Sequence, residues 1–299
     1  MTPITAPARP LGSVYLRLVG VAALWGGTFI ATRILAQIMP HLIAATARFA
    51  VAVALLLFVA SRSGGLPRLT PRQMLSTFVL GFTGVFIYNV CFFGALALLP
   101  AGRTALIVAL NPIVTALIMA LILRERIAAV RWVGIAVALL GSAIVITRGD
   151  LGAALSESVG RGELLMFGGV CGWAVYTIMG QGMLRQLSPV VATTYASLWG
   201  GLLLGIGALF ELRELQLAVL GWQTIGAMVY LGVFGTVVAF IWYYEGVQAI
   251  GPARTAIFNN LVPVFAVTFG AVLLGEAILP SMLIGGAMVI AGVMLTNRR

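Results

Sequence analysis

Apolar runs of roughly 20 residues recur along the whole of this chain, and each is long enough to cross the hydrocarbon core of a bilayer as a helix. Hydrophobic residues make up 61% of the 299 residues and charged residues only 9%, whereas soluble domains carry about 25% charge. The polar stretches between the runs are too short to form a soluble domain. The sequence therefore predicts an all-α membrane protein.

Ten transmembrane helices fit this pattern, with prolines at or between the helix ends. Arginine supplies all 18 basic residues, so the net charge of +10 indicates orientation in the membrane rather than a nucleic-acid partner. With the amino terminus inside, twelve arginines fall in inner segments and four in outer segments, which predicts that both termini are cytoplasmic. The predicted spans are 13–37, 41–61, 73–97, 101–123, 128–147, 162–184, 189–210, 219–248, 253–274 and 280–297.

Residues 80–148 are repeated at 231–299, with 16 of 69 positions identical and no gap. The matches include Arg103 with Arg254, Pro112 with Pro263 and Glu125 with Glu276, a combination that apolar composition alone would not align. The earlier helices align less well, at an offset near 148 residues that places Trp25 over Trp173. The repeated unit therefore has five helices, which predicts two repeats, 13–147 and 162–297. Because five is odd, the second copy enters the membrane from the opposite side, an inverted arrangement typical of secondary transporters. Duplication for stability alone is the other interpretation.

Several motifs resemble the ten-helix, EamA-type members of the drug/metabolite transporter superfamily. They are ALWGGTFIATR in the first helix, the GRTA and ARTA openings of helices 4 and 9, the mid-helix prolines, and the glutamates in LRER and LGEA. The resemblance covers nearly the whole chain. It implies a bacterial inner-membrane, multi-pass exporter of amino acids, other metabolites or drugs with a central cavity, and the chain looks most like the aromatic amino acid subgroup.

Helices 4 and 9 each begin with an arginine and end with a glutamate 22 residues later, which is about 33 Å along a helix and one membrane thickness. Inverted, antiparallel copies would allow two cross-repeat ion pairs, Arg103 with Glu276 and Arg254 with Glu125, one per membrane face. We predict that these pairs act as gates; lipid headgroups or loop residues are the alternative partners. Pro112 and Pro263 each free a backbone carbonyl, and we expect both breaks beside a wet cavity.

The candidate substrate-binding residues are polar and aromatic side chains within the predicted spans, because an aromatic-lined cavity suits amphipathic solutes. Arg48 lies inside the second helix, where it either snorkels or binds a substrate carboxylate. Glu245 either pairs with Arg254 or carries a proton. The predicted set is Trp25, Thr28, Arg48, Tyr88, Asn89, Asn111, Trp173, Tyr176, Tyr195, Trp199, Trp242, Tyr243, Asn259 and Asn260.

The function expected from these features is export of small amphipathic metabolites, foremost aromatic or other amino acids, by alternating access. The alternatives are export of drugs or other metabolites, a facilitative channel, exchange of nucleotide sugars or sugar phosphates and, least favoured, an intramembrane enzyme. No metal-binding or catalytic motif was found, so no cofactor, metal or catalytic residue is expected. The expected partners are a small-molecule substrate and the lipid bilayer, without nucleic acid, for a chain that acts as a monomer.

Overall fold

The computed structural model describes residues 10–36, 38–99, 101–122, 124, 127–147, 149–150, 152, 160–215, 221–274 and 278–297. Within these residues the regular structure is entirely helical, which confirms the predicted all-α class. The structure describes the backbone alone at positions 33, 34, 36, 101–103, 106, 146, 270, 273, 274 and 297.

The helices of the described part follow the predicted spans to within about three residues at each end. In chain order they are α1 Leu11–Ala36, α2 His41–Arg62, α3 Pro71–Leu98, α4 Ala101–Val108, α5 Asn111–Leu121, α6 Ala129–Ile146, α7 Arg161–Met183, α8 Pro189–Ala208, α9 Trp222–Ile250, α10 Pro252–Ala256, α11 Leu261–Leu274 and α12 Pro280–Asn297. Predicted helices 4 and 9 are therefore each interrupted, as α4–α5 and α10–α11.

Six of the described helices, α1, α2, α3, α7, α8 and α9, are long and apolar enough to cross a membrane. Three shorter apolar helices accompany them, at Asn111–Leu121, Ala129–Val145 and Pro280–Thr296. Side chains at the helix starts explain several boundaries. Thr70 and Gln73 form a reciprocal capping box ahead of α3, and Ser188 caps α8, so backbone donors that the first turn leaves open are satisfied.

Both α3 and α9 contain a π-helical turn, at Gly81–Ile87 and Val233–Val238. These turns nearly coincide when the chain is shifted by the 151 residues of the sequence repeat. The interruptions coincide as well, because α5 begins at Asn111 beside Pro112, and a short 3₁₀ segment, Ile257–Asn260, precedes α11 with its Pro263. Proline removes a backbone donor and crowds the preceding turn, which explains why each helix breaks there.

Helices α6 and α12 pack through glycines at repeat-equivalent positions. A Cβ on Gly285 would lie 2.7 Å from the carbonyl oxygen of Gly141, and a Cβ on Gly141 would lie 2.6 Å from that of Gly285. Gly134 and Gly292 meet in the same reciprocal way, at 2.9 and 2.6 Å. Because Gly134 corresponds to Gly285 and Gly141 to Gly292, exchanging the two repeats turns one contact into the other.

A second pair of close contacts is also interchanged when the two copies of the sequence repeat are exchanged. A Cβ on Gly81 of α3 would meet the carbonyl oxygen of Ala196 in α8 at 2.5 Å, and a Cβ on Gly232 of α9 would meet that of Arg48 in α2 at 2.9 Å. Gly81 and Gly232 are repeat equivalents, and Arg48 and Ala196 are equivalent at the 148-residue offset that aligns Trp25 with Trp173. Helix α2 therefore packs on α9, and α8 packs on α3, through sequence-equivalent positions.

We predict that Gly285→Ala destabilises the protein by about 1–3 kcal/mol, because its methyl group has no room against α6 and the two helices must separate. Gly286→Ala is the matched control, since the nearest atom to a Cβ there is 3.7 Å away. Thermal unfolding of both variants in detergent measures the difference. Equal melting temperatures for the two variants would contradict the close packing of α6 on α12.

Candidate functional site

One cavity of about 50 Å³ lies among the broken helices and their neighbours. Aromatic rings and amide side chains form most of its wall, together with one arginine. The lining residues are Trp25, Thr28, Phe29, Arg48, Tyr88, Asn89, Phe92, Val108, Asn111, Trp173, Phe240, Asn259 and Val262. Eight of the fourteen predicted binding residues are brought together here: Trp25, Thr28, Arg48, Tyr88, Asn89, Asn111, Trp173 and Asn259.

Eight of the thirteen lining residues form four repeat-equivalent pairs. Trp25 and Trp173 face each other with ring centroids 5.3 Å apart and nearly perpendicular planes. The remaining pairs, Asn89 with Phe240, Val108 with Asn259 and Asn111 with Val262, are each separated by 151 residues, and every member lines the cavity. These four pairs of sequence-equivalent positions all line the cavity; the tryptophan pair keeps its residue type, while each of the other three pairs joins an asparagine with an apolar residue.

Arg48 of α2 is 7% exposed and holds the π turn of α9. Its Nε donates to the Thr236 hydroxyl at 2.8 Å, and its Nη2 donates to the Gly235 carbonyl at 3.3 Å. Trp25 donates to the same carbonyl from α1 at 3.1 Å. None of the described residues that line the cavity is acidic, so the guanidinium brings a positive charge to an otherwise neutral wall.

Two tyrosines from the predicted set stand behind the wall rather than in it. The Tyr243 hydroxyl accepts from the indole N–H of Trp173 at 3.3 Å and bonds Thr177 at 3.0 Å, which orients the tryptophan ring. Tyr176 stacks on Tyr244 with ring centroids 4.7 Å apart and lies 5.0 Å from the ring of Trp173. Both tyrosines are almost completely buried and support the aromatic face of the cavity.

The other predicted residues lie away from the cavity. The Tyr195 hydroxyl donates to the Pro67 carbonyl at 2.8 Å, and Trp199 packs edge-on against Phe78 in a shallow outer groove. Trp242 lies under the guanidinium of Arg17, 5.9 Å from it. Asn260 is fully buried, and its backbone carbonyl accepts from Ser142 at 3.3 Å.

Five lining residues were absent from the predicted set: Phe29, Phe92, Val108, Phe240 and Val262. Their positions in the repeat were a usable signal for three of them. Val108 is the repeat equivalent of the predicted residue Asn259, Val262 is that of Asn111, and Phe240 is that of Asn89. Phe92 lies one turn from Tyr88 and stacks on it, with ring centroids 5.8 Å apart.

Two contacts lie at the end of the helix bundle where α1 begins and α9 ends. Arg17 forms an ion pair with Glu245, a contact that was not predicted from the sequence. The pairing of Glu245 with Arg254 and its role as a proton carrier stay predictions. Tyr15 stacks on Phe258 almost three helical turns before Trp25 on α1, with ring centroids 5.9 Å apart. The cavity volume suits a few water molecules and is far below the roughly 300–1,000 Å³ of sites that hold metabolites, so a metabolite requires helix movement to enter.

The predicted charge pairs of helices 4 and 9 stay predictions. Glu125, Glu276 and the side chain of Arg103 lie outside the described residues. Arg254 is partly buried, and its Nε has no hydrogen-bond partner in the described part of the chain. The prolines are described: Pro112 follows the cavity residue Asn111 directly, and Pro263 follows the cavity residue Val262. Both helix breaks therefore lie against the cavity, as expected.

Known proteins similar to this chain are membrane transporters. It is 29% identical to the uncharacterized transporter YyaM of Bacillus subtilis, over 95% of this chain and 93% of that one. It is 27% identical to the uncharacterized inner membrane transporter YedA of Escherichia coli K12, over 90% and 86%. A probable terminal-alkyne amino-acid exporter of Streptantibioticus cattleyicolor is 28% identical, over 81% and 80%.

A crystal structure with 20% sequence identity shares the fold, with a TM-score of 0.78 over 96% of this chain and 97% of the other. The model of the EamA-like transporter family matches residues 12–147 and again residues 160–298. Both matches include cavity residues, and together they span nearly the whole sequence. The chain is therefore a multi-pass membrane protein that belongs to the EamA-like transporter family.

Proposed function

We propose that this protein is a secondary transporter that exports small amphipathic metabolites, foremost aromatic or other amino acids, by alternating access. The observation that carries the proposal is the small cavity, which one buried arginine lines together with six aromatic side chains. A guanidinium binds carboxylates through charge-assisted hydrogen bonds, and aromatic rings accommodate apolar side chains. The name of the relative from Streptantibioticus cattleyicolor, an amino-acid exporter, adds support for this substrate class.

Alternating access follows from two inverted five-helix repeats, 13–147 and 162–297, which we propose as the architecture. Support comes from the reciprocal contacts Gly141–Gly285 and Gly134–Gly292, because a two-fold relation between the repeats exchanges one contact with the other. The paired cavity positions add to it, since a site on the two-fold axis takes equivalent residues from each half. Two equivalent halves can exchange conformations and open the site to either side in turn.

For the orientation, we propose that both termini are cytoplasmic, in a bacterial inner membrane. The excess of arginine in the segments on that side supports it. The cytoplasmic face then contains the start of α1 and the end of α9. The Arg17–Glu245 ion pair and the Tyr15–Phe258 stack would be the contacts that close this face.

Two other functions remain compatible with the fold. Export of drugs is one, since an aromatic wall also suits larger apolar compounds. A facilitative channel is the second alternative. The small volume of the cavity and the two helix breaks beside it favour a carrier over a channel. Among carriers, an exchanger of phosphorylated sugars is less favoured, because Arg48 is the one basic side chain among the described lining residues.

Counterflow in proteoliposomes tests the proposed function. Vesicles loaded with unlabelled L-phenylalanine should accumulate labelled L-phenylalanine transiently, because a carrier returns loaded faster than empty. Protein-free vesicles are the control, and a panel of amino acids extends the test to the substrate range. Uptake without stimulation by internal substrate would indicate a channel, and no uptake of any amino acid would refute amino acid transport.

The closing role of the Arg17–Glu245 pair is tested by exchanging its charges. Arg17→Glu or Glu245→Arg alone places like charges together and should slow counterflow severalfold, and the double variant should recover much of the rate. Glu214→Gln, which neutralises an exposed carboxylate in the short 3₁₀ helix Leu212–Glu214, is the control and should leave the rate unchanged. A double variant no better than either single variant would refute a role for this pair in closure.

Arg48→Met should abolish substrate binding while leaving stability within about 1 kcal/mol of the wild type, because replacing a buried charge with an apolar group is often neutral. The Gly235 carbonyl keeps a donor in Trp25, and the Thr236 hydroxyl keeps its own donated hydrogen bond to the Leu231 carbonyl. Thermal unfolding and counterflow measure the two effects. Retained counterflow, or a melting temperature as low as that of Gly285→Ala, would contradict the assignment.

A further inference from the structure

We propose that the cavity selects zwitterionic α-amino acids by binding both charged groups, with Arg48 as the carboxylate site and the carbonyl oxygen of Asn89 as the ammonium site. This rests on the proposed function and deepens it, because it excludes simple carboxylates and simple amines as good substrates. It also assigns a specificity-determining role to Asn89 that its residue type alone does not suggest.

The orientation of the Asn89 amide is defined by one hydrogen bond. Its Nδ2 donates to the carbonyl oxygen of Val85, one turn earlier, at 2.6 Å. A carbonyl accepts hydrogen bonds but cannot donate them, so the amide nitrogen must face Val85 and Oδ1 must point elsewhere. Asn89 is 1% exposed and lines the cavity.

The acceptor at Oδ1 has no hydrogen-bond partner among the described residues. A buried polar atom without a partner costs free energy, and such atoms in folded proteins usually face a water, an ion or a ligand. A substrate ammonium group supplies N–H donors that suit this oxygen. Because none of the described lining residues is acidic, the positive charge would be met by this carbonyl and by ring faces.

The rings of Trp25 and Trp173 supply the second part of the ammonium site. Both line the cavity, and their planes are inclined by 83° to each other, so two differently oriented rings border the same space. An aromatic face attracts a cation within about 6 Å of its centre, more strongly when water is excluded. Both indole N–H groups are engaged elsewhere, with Gly235 and Tyr243, so the rings are held in place.

At Arg48, donors remain for a carboxylate. Nε and Nη2 hold the π turn of α9, while Nη1 makes no hydrogen bond to the described residues. Arg48 and Asn89 line the same cavity from the neighbouring helices α2 and α3. The carboxylate and ammonium of an α-amino acid share one carbon atom, so one substrate admitted by helix movement would reach both groups.

The two polar groups of the proposed sites, the Arg48 guanidinium and the Asn89 carbonyl, lie in one repeat only. The repeat-equivalent position of Arg48 is Ala196, and that of Asn89 is Phe240. The cavity is therefore symmetric in position but not in charge. A substrate would bind in one orientation throughout the transport cycle, with its charged end toward α2 and α3.

Binding to the purified protein in detergent tests this inference separately from transport. The probes are L-phenylalanine, 3-phenylpropionate, which lacks the ammonium group, and 2-phenylethylamine, which lacks the carboxylate. Calorimetric titration should give L-phenylalanine the highest affinity, and each analogue should bind at least about tenfold more weakly, the loss expected for one charged hydrogen bond.

Asn89→Leu, which keeps the shape and removes the acceptor, should bind L-phenylalanine and 3-phenylpropionate with similar affinity. Ser197→Ala is the control; it removes a buried hydroxyl without a hydrogen-bond partner among the described residues, outside the cavity lining, and should keep the wild-type preference. An unchanged preference in Asn89→Leu, or analogues that bind as well as the amino acid, would overturn the proposal even if counterflow succeeds. Selective binding without counterflow would support this site and refute the transport function alone.

Discussion

The carbonyl oxygen of Gly235 joins three helices at the cavity. It accepts hydrogen bonds from Trp25 of α1 and Arg48 of α2, and it belongs to the π turn of α9. Irregular backbone within a membrane is tolerated where protein groups or a wet cavity satisfy it. Here the donors that satisfy it are the indole of Trp25 and the guanidinium of Arg48. The same two side chains therefore stabilise the π turn and form part of the cavity wall. Without this junction, the cavity would lose both its charge and an oriented aromatic ring.

The repeat supplies the positions of the cavity residues, and divergence between the copies supplies their polarity. Trp25 and Trp173 keep the same residue type. By contrast, the positions equivalent to Arg48, Asn89, Asn111 and Asn259 in the other copy hold apolar residues. The equivalent helices and their close glycine contacts can therefore support a similar closing of the cavity toward each membrane face. Because the polar groups have no polar equivalents, they would bind a substrate in one orientation, which a fully symmetric cavity would not do.

Residues that interrupt or charge an apolar helix could be predicted from the sequence, because they are conspicuous there. Pro112, Pro263 and Arg48 led to the helix breaks and to the cavity. The aromatic residues were harder to place, because a membrane helix is apolar on faces toward lipid as well as toward protein. Trp199 and Tyr195 share a face of α8 that packs on α3 outside the cavity, and spacing alone could not distinguish this from a cavity face. The Arg17–Glu245 pair joins residues 228 positions apart, which no local pattern indicates.

The central claim is that the two faces of the protein open in turn around the closed cavity. Electron–electron distance measurements test it most directly, with Cys91 and Cys171 replaced by serine. One pair of spin labels, at Leu16 and Gln186, reports the face where α1 begins, and another, at Leu98 and Trp222, reports the opposite face. Addition of transported substrate should shift the two distance distributions in opposite directions. Distributions that stay unchanged, or that lengthen together, in a protein active in counterflow would contradict alternating access.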